Sequence, residues 1–180
     1  RIKMEEKLMN IITHYGVLSQ LEYLQTEVME LAEAVVECEL AKEAIDENGN
    51  LIFDLKAFKE NIKGELADNL VMLNQIKVFY DCNVELDDVE LADKKYSFTM
   101  LKSFARDIHR LSISVVETEM FKQTNGFYNI LDIADICNRL ENVFYALRSF
   151  ALLYDISQED LEKVMEFKIN RQLERIENEN

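Results

Sequence analysis

Proline is absent from this chain, and glycine occurs only four times. Both residues interrupt helices, so a sequence nearly free of them and rich in Leu, Glu, Lys, Ala and Met favours an all-helical protein and leaves little room for strands. Cysteine is as scarce: Cys38, Cys82 and Cys137 are widely spaced and sit in apolar helical patterns. That spacing suggests neither a zinc motif nor a disulfide framework, and a reducing cytoplasm is the expected setting. Positive charge is in the minority, with 20 Lys and Arg against 35 Asp and Glu and a formal charge of −15. Nucleic-acid backbones recruit Lys and Arg, so a nucleic-acid polymer is excluded as a partner. No stretch joins a basic start to an apolar run and a small-residue cleavage site, and none is apolar for long enough to cross a bilayer. An unexported protein with no membrane partner is therefore expected.

What is present fits one domain over 1–180, since 180 residues with 48% hydrophobic content can bury a sizeable core. Helical periodicity covers 2–14 and, after Gly16, 18–45. Asp46-Glu47-Asn48-Gly49-Asn50 then supplies turn chemistry, because Asn and Gly tolerate positive φ. A second long helix is expected over 55–80, with Leu66, Leu70, Leu73, Ile76 and Val78 as apolar positions, and a shorter one over 86–95.

The second half reads like the first. Leu31-x-x-x-Val35-Val36-Glu37-x-Glu39 recurs 80 residues later as Leu111-x-x-x-Val115-Val116-Glu117-x-Glu119. Asn48-Gly49 recurs as Asn125-Gly126, and Tyr80-Asp81 as Tyr154-Asp155, with the offset shrinking to 77 and then 74. The chain reads as a tandem, degenerate helical repeat folded as an antiparallel bundle, with halves at 1–96 and 97–180.

Two acidic doublets stand out in the first half, Glu27-x-x-Glu30 and Glu65-x-x-Asp68. Residues three apart share a helix face, so each doublet aims two carboxylates one way, and antiparallel packing would merge them into one cluster. Four converging carboxylates suit a hard divalent cation and repel one another without it. The corresponding positions of the second half are Asp107, Arg110, Arg139 and Asn142, which form no such cage. Other acid-rich sites are excluded by what is missing: neither His14 nor His109 has a Glu three residues before it, as a diiron bundle requires, and the turn at 46–50 lacks the alternating ligands of an EF-hand. There is also no Gly-rich phosphate loop and no Ser/His/Asp set in evidence. Cations held between carboxylates and phosphates favour hydrolysis of a phosphoanhydride.

On these residues the sequence resembles the all-α nucleoside triphosphate pyrophosphohydrolases, the superfamily of MazG-type enzymes and dimeric dUTPases. The similar stretches are His14-Tyr15-Gly16, Gln20-Leu21, Thr26-Glu27-Val28-Met29-Glu30-Leu31 and Gly64-Glu65-Leu66-Ala67-Asp68-Asn69, with Lys168-Ile169-Asn170-Arg171 and Arg175 near the chain's end. Thr26 stands where the family pattern has a first Glu, a departure that bears on metal number or rate. The resemblance implies cleavage of a nucleoside triphosphate between the α and β phosphates, with Mg2+ as cofactor and Mn2+ as a substitute. It implies that Glu27, Glu30, Glu65 and Asp68 hold the metal and that Glu27 or Glu30 orients the attacking water. Lys168 and Arg171 would hold phosphates, with Lys94 and Lys95 as a second candidate pair, and Gln20 would read the base. His14 and Tyr15 are expected to pack. A duplicated chain would carry one working site, and a homodimer through apolar helix faces is compatible with the pattern. The alternatives are a non-catalytic nucleotide- or metal-binding helical module, motivated by Thr26 and the altered second half, and a structural bundle whose acids are merely solvated.

Overall fold

The structure is a computed structural model that describes residues 2–84 and 97–179. The helix expected over 86–95, and Lys94 and Lys95 with it, lie outside the described residues. Six helices are described: α1 (Ile2–Tyr15), α2 (Val17–Glu43), α3 (Leu55–Phe79), α4 (Ser97–Asn125), α5 (Ile130–Leu153) and α6 (Gln158–Glu179). Among the described residues there is no strand, only an isolated antiparallel bridge between Ile45 and Leu51 across the α2–α3 turn. The protein is an all-α helical bundle. None of these helices is long and apolar enough to cross a membrane.

Each helix starts and stops for local reasons. Gly16 separates α1 from α2 at φ +86°, a left-handed conformation that side chains disfavour. Its N–H closes α1 on the Ile12 carbonyl at 2.8 Å, and its own carbonyl accepts the Gln20 N–H of α2 at 3.1 Å. Asp54 and Asn129 cap α3 and α5 by accepting backbone N–H groups of Lys56 and Leu131. The two capped helices also end alike. Asp81 and Asp155 take φ of +54° and +57°, conformations that Asp tolerates better than most residues. The next N–H reaches back to Lys77 in one case and to Ala151 in the other, at 2.9 and 2.8 Å. These are paired Schellman closures with Asp in place of glycine.

The core follows from spacing. α2 buries Leu21, Leu24, Val28, Leu31, Val35 and Cys38, and α3 buries Ile62, Leu66, Leu73 and Ile76, so each presents a stripe at three- and four-residue intervals. α4 adds Phe104, Ile108, Leu111 and Val115, and α5 adds Ile136, Leu140, Val143, Leu147 and Phe150, to the same cluster. The α2–α3 and α4–α5 pairs pack within themselves and then on each other, α2 against α4 and α3 against α5, while α1 and α6 lie against α3. Leu8, Ile11, Val71 and Ile169 form a smaller cluster where those last three helices meet.

The sequence correspondence between the halves has counterparts in the bonds. Tyr80, at the end of α3, donates its hydroxyl to Glu119 of α4 at 2.7 Å, and Tyr154, at the end of α5, donates to Glu39 of α2 at 2.8 Å. The expected repeat pairs Tyr80 with Tyr154 and Glu39 with Glu119, and each half reaches across to the other with a bond of the same kind.

One expectation is corrected. Cys82, just past α3, and Cys137 of α5 are joined as a disulfide with Cα atoms 5.3 Å apart, leaving Cys38 as the free, buried thiol. A separation of 55 residues hid the pair, because the packing of α3 on α5 is what brings them together. Disulfides persist in oxidising settings, so the cysteines no longer argue for a reducing compartment.

Candidate metal centre

Glu27 and Glu30 lie one turn apart on α2, and Glu65 lies on the facing side of α3. One carboxylate oxygen from each comes within 4.8 Å of the other two. The backbones beneath them are tied together by Asn69, a fully buried residue of α3 whose side-chain amide donates to the carbonyls of both Glu27 and Glu65 at 2.9 Å. This cross-helix bond fixes the register of α2 on α3 where the acids meet. Asp68 belongs to the same face of α3 as Glu65 but is paired with Lys168 of α6. The doublets therefore converge as their spacing implies, with three carboxylates facing one another and the fourth held by a lysine.

The electrostatics show the strain of this arrangement. Burial, followed by the charges of Asp68, Glu30 and Glu65, pushes the Glu27 carboxyl up to about 7, against a smaller opposing effect of Lys168. Burial, Asp68 and Glu30 also raise Glu65. Two polar atoms here are buried without a partner in the protein, Oε2 of Glu65 and Oδ1 of Asn69. A buried polar oxygen left unbonded is costly, so both invite a ligand. The donor set consists of hard oxygens only, and its spread is one that a single divalent cation spans with small side-chain adjustments. On these grounds the residues fit magnesium or manganese.

The matching positions in the second half are neutralised internally. Asp107 lies 3.6 Å from Arg106 and 3.8 Å from Arg110, Arg139 pairs with Asp135 at 2.6 Å, and Asn142 donates to the Asn138 carbonyl. Hydrogen bonds from Arg139 and then from Ser114 hold the Asp135 carboxyl below its ordinary range. Arg110 and Arg139 are thus engaged on their own helices.

The remaining sequence candidates divide. Lys168 reaches the cluster, whereas Arg171 and Arg175 are exposed on α6, and Arg171 makes no ion pair among the described residues. Gln20, the residue expected to read the base, is buried on α2, and its side-chain carbonyl has no partner. It shares a helix face with Glu27, two turns away. Thr26 is exposed. Tyr15 packs beside the small cluster as expected, but His14 is exposed and meets Glu179 of α6 at 3.2 Å.

Neither Asn69 nor Gln75, a second buried amide of α3 that donates to Gln172 of α6 at 3.2 Å, is among the candidate site residues of the sequence. Their signal was a polar residue in the apolar register of α3. A cavity of about 550 Å3 lies elsewhere, between α3, α5 and α6, with Leu70, Phe144, Leu161 and Met165 among its walls; none of the four acids lines it. No protein-family model, curated protein or solved structure matches the chain.

Proposed function

We propose that the chain is a magnesium-dependent nucleoside triphosphate pyrophosphohydrolase, with Mn2+ able to replace Mg2+. The observation that carries this reading is the convergence of Glu27, Glu30 and Glu65, whose carboxylate oxygens come within 4.8 Å of one another, together with a buried Glu65 oxygen that has no partner. The bound cation would supply Lewis-acid polarisation of a phosphoryl oxygen and favour a nucleophilic water near neutral pH. Glu27, Glu30 and Glu65 would hold that cation, with Asp68 as the fourth ligand. One of the two α2 glutamates orients the attacking water. Attack at the α phosphorus breaks the bond to the bridging oxygen and yields a nucleoside monophosphate and pyrophosphate. Lys168, one face away on α6, contributes a positive charge for the phosphates, and Arg171 lies a turn further along. Gln20 offers its unpartnered carbonyl toward a base edge.

The resemblance of the doublets to the all-α pyrophosphohydrolases supports the reading, and so does the lack of a comparable acid cluster at the matching positions of the second half, where only Asp107 is acidic. In keeping with the tandem-repeat reading, one working site per chain is proposed, with the second half as scaffold. The test is pyrophosphate release from a panel of ordinary and modified nucleoside triphosphates in Mg2+. Turnover abolished by Glu30→Gln supports the reading; no turnover on any substrate counts against it.

A second reading rests on the Lys168–Asp68 pair, which leaves three facing carboxylates, and on exposed Thr26 at the position of the family's further acid. It is a module that binds nucleotide or metal without chemistry. Its mark is a melting temperature raised by nucleotide and Mg2+ with no product formed.

A further inference from the structure

Asp68 and Lys168 form the one ion pair among the described residues that joins α6 to the acidic cluster. The lysine's backbone is well anchored. Ile169 beside it is fully buried against Leu8, Ile11 and Val71, Asn170 accepts a 2.7 Å hydrogen bond from Lys7 of α1, and Gln172 accepts one from Gln75 of α3. Its head group is different: a compact ammonium on a flexible four-carbon stem, bound to a single carboxylate oxygen rather than by a planar two-pronged fork. Both partners keep about a quarter of their side-chain surface in solvent, 25% for Lys168 and 26% for Asp68. The pair can therefore open without disturbing the helices that carry it.

The ammonium also stands where the cluster's charge calls for a cation. A divalent ion held by Glu27, Glu30 and Glu65 would compete for Asp68, which completes the set, and would repel the ammonium. The geometry points to Lys168 as an exchangeable internal counterion: it holds Asp68 until a divalent cation takes that carboxylate, and the released ammonium then meets the anion that accompanies the cation. Cation and anion binding are thereby coupled, each favouring the other through one side chain. This rests on the metal-centre reading above and adds to it a competition that simple phosphate contact does not contain.

The experiment is Mn2+ binding by the full chain without nucleotide, followed by calorimetry and electron paramagnetic resonance, in the unaltered protein and in Lys168→Met and Lys168→Gln. Helical circular dichroism and the melting temperature check each variant's fold, and the two variants differ in size so that one packing defect cannot mimic the result. Removal of the competitor should tighten Mn2+ binding by about ten-fold, a typical site-to-site coupling. Tripolyphosphate should strengthen Mn2+ binding to the unaltered protein and lose most of that effect in both variants. In an Asp68→Asn background the Lys168 substitutions should leave Mn2+ affinity unchanged. Equal or weaker Mn2+ binding by both Lys168 variants overturns the exchange while leaving the metal centre standing. No Mn2+ binding by any of the proteins overturns the metal centre itself.

Discussion

The α2–α3 and α4–α5 hairpins are built alike and treat charge in opposite ways. Both bury an apolar stripe at the same spacing, both end in a Tyr-Asp closure, and each sends its tyrosine to a glutamate of the other. At the sites that correspond, α2–α3 gathers Glu27, Glu30, Glu65 and Asp68 against one lysine taken from α6. The α4–α5 hairpin answers Asp107 with Arg106 and Arg110, and Asp135 with Arg139, inside its own helices. The second hairpin shows that this packing does not need the acids. In the first, burial and then the neighbouring acids raise the carboxyls of Glu27 and Glu65, so gathering them there is a burden on folding that a ligand would relieve.

The largest contrast should come from removing charge on each side. Glu30→Gln or Glu65→Gln should lower pyrophosphate release by at least about a hundred-fold, more than a supporting residue around a metal usually contributes. Arg110→Ala and Arg139→Ala should leave turnover within about two-fold, since exposed or half-exposed ion pairs contribute little. Loss of activity in the arginine variants would show that the second half takes part in the site. Next is the covalent tie between the hairpins. Reduction of Cys82–Cys137, or Cys82→Ala with Cys137→Ala, opens a loop spanning a separation of 55 residues. It should lower stability by up to about 4 kcal/mol on chain-entropy grounds, read from denaturant midpoints.

The crossed tyrosines should respond unequally. Tyr80→Phe removes one of two hydroxyls from the buried Glu119 carboxylate and should cost about 1–3 kcal/mol. Tyr154→Phe should cost less, because Glu39 keeps Lys42 at 2.7 Å and is more exposed. Equal losses in thermal melts would show that the two ends are equivalent in energy as well as in geometry.

The smallest effect is a pH dependence that belongs to the first hairpin alone. The Glu27 pKa is raised from 4.5 to about 7, so the folded protein holds its proton more tightly than the unfolded chain does. As pH rises through that window the unfolded state loses its proton first and stability falls, levelling off above about 7. After allowance for solvent screening of a partly exposed group, the loss is about 1 kcal/mol. Glu27→Gln should abolish this slope and Mg2+ should flatten it, as followed by melting temperature from pH 4.5 to 7.5. A slope unchanged in Glu27→Gln would assign it to another group.

Much of the fold was legible because helix information is local. The expected 18–45 and 55–80 differ from the observed Val17–Glu43 and Leu55–Phe79 by at most two residues at each end, since Gly16, the 46–50 turn and Tyr80-Asp81 mark the stops within a few residues of chain. The acid doublets were legible for the same reason, as a spacing of three on an uninterrupted helix is a statement about one face. The Cys82–Cys137 bond, the burial of Gln20 and the brace made by Asn69 were not. Each depends on which helix lies opposite, and side chains at a core register position look alike in sequence whether they meet leucine, another amide or a cysteine.

By itself the sequence determined the helical class, the first three helices with their ends and the placing of two carboxylate pairs, because all of these follow from backbone preferences and periodicity within a few turns. Only the tertiary structure decided that Glu27, Glu30 and Glu65 share one point, that Lys168 arrives from α6 to hold Asp68, and that the matching arginines pair with acids on their own helices. Charges act through space over a few ångströms, and it is the packing of α2, α3 and α6, not their order along the chain, that sets those distances.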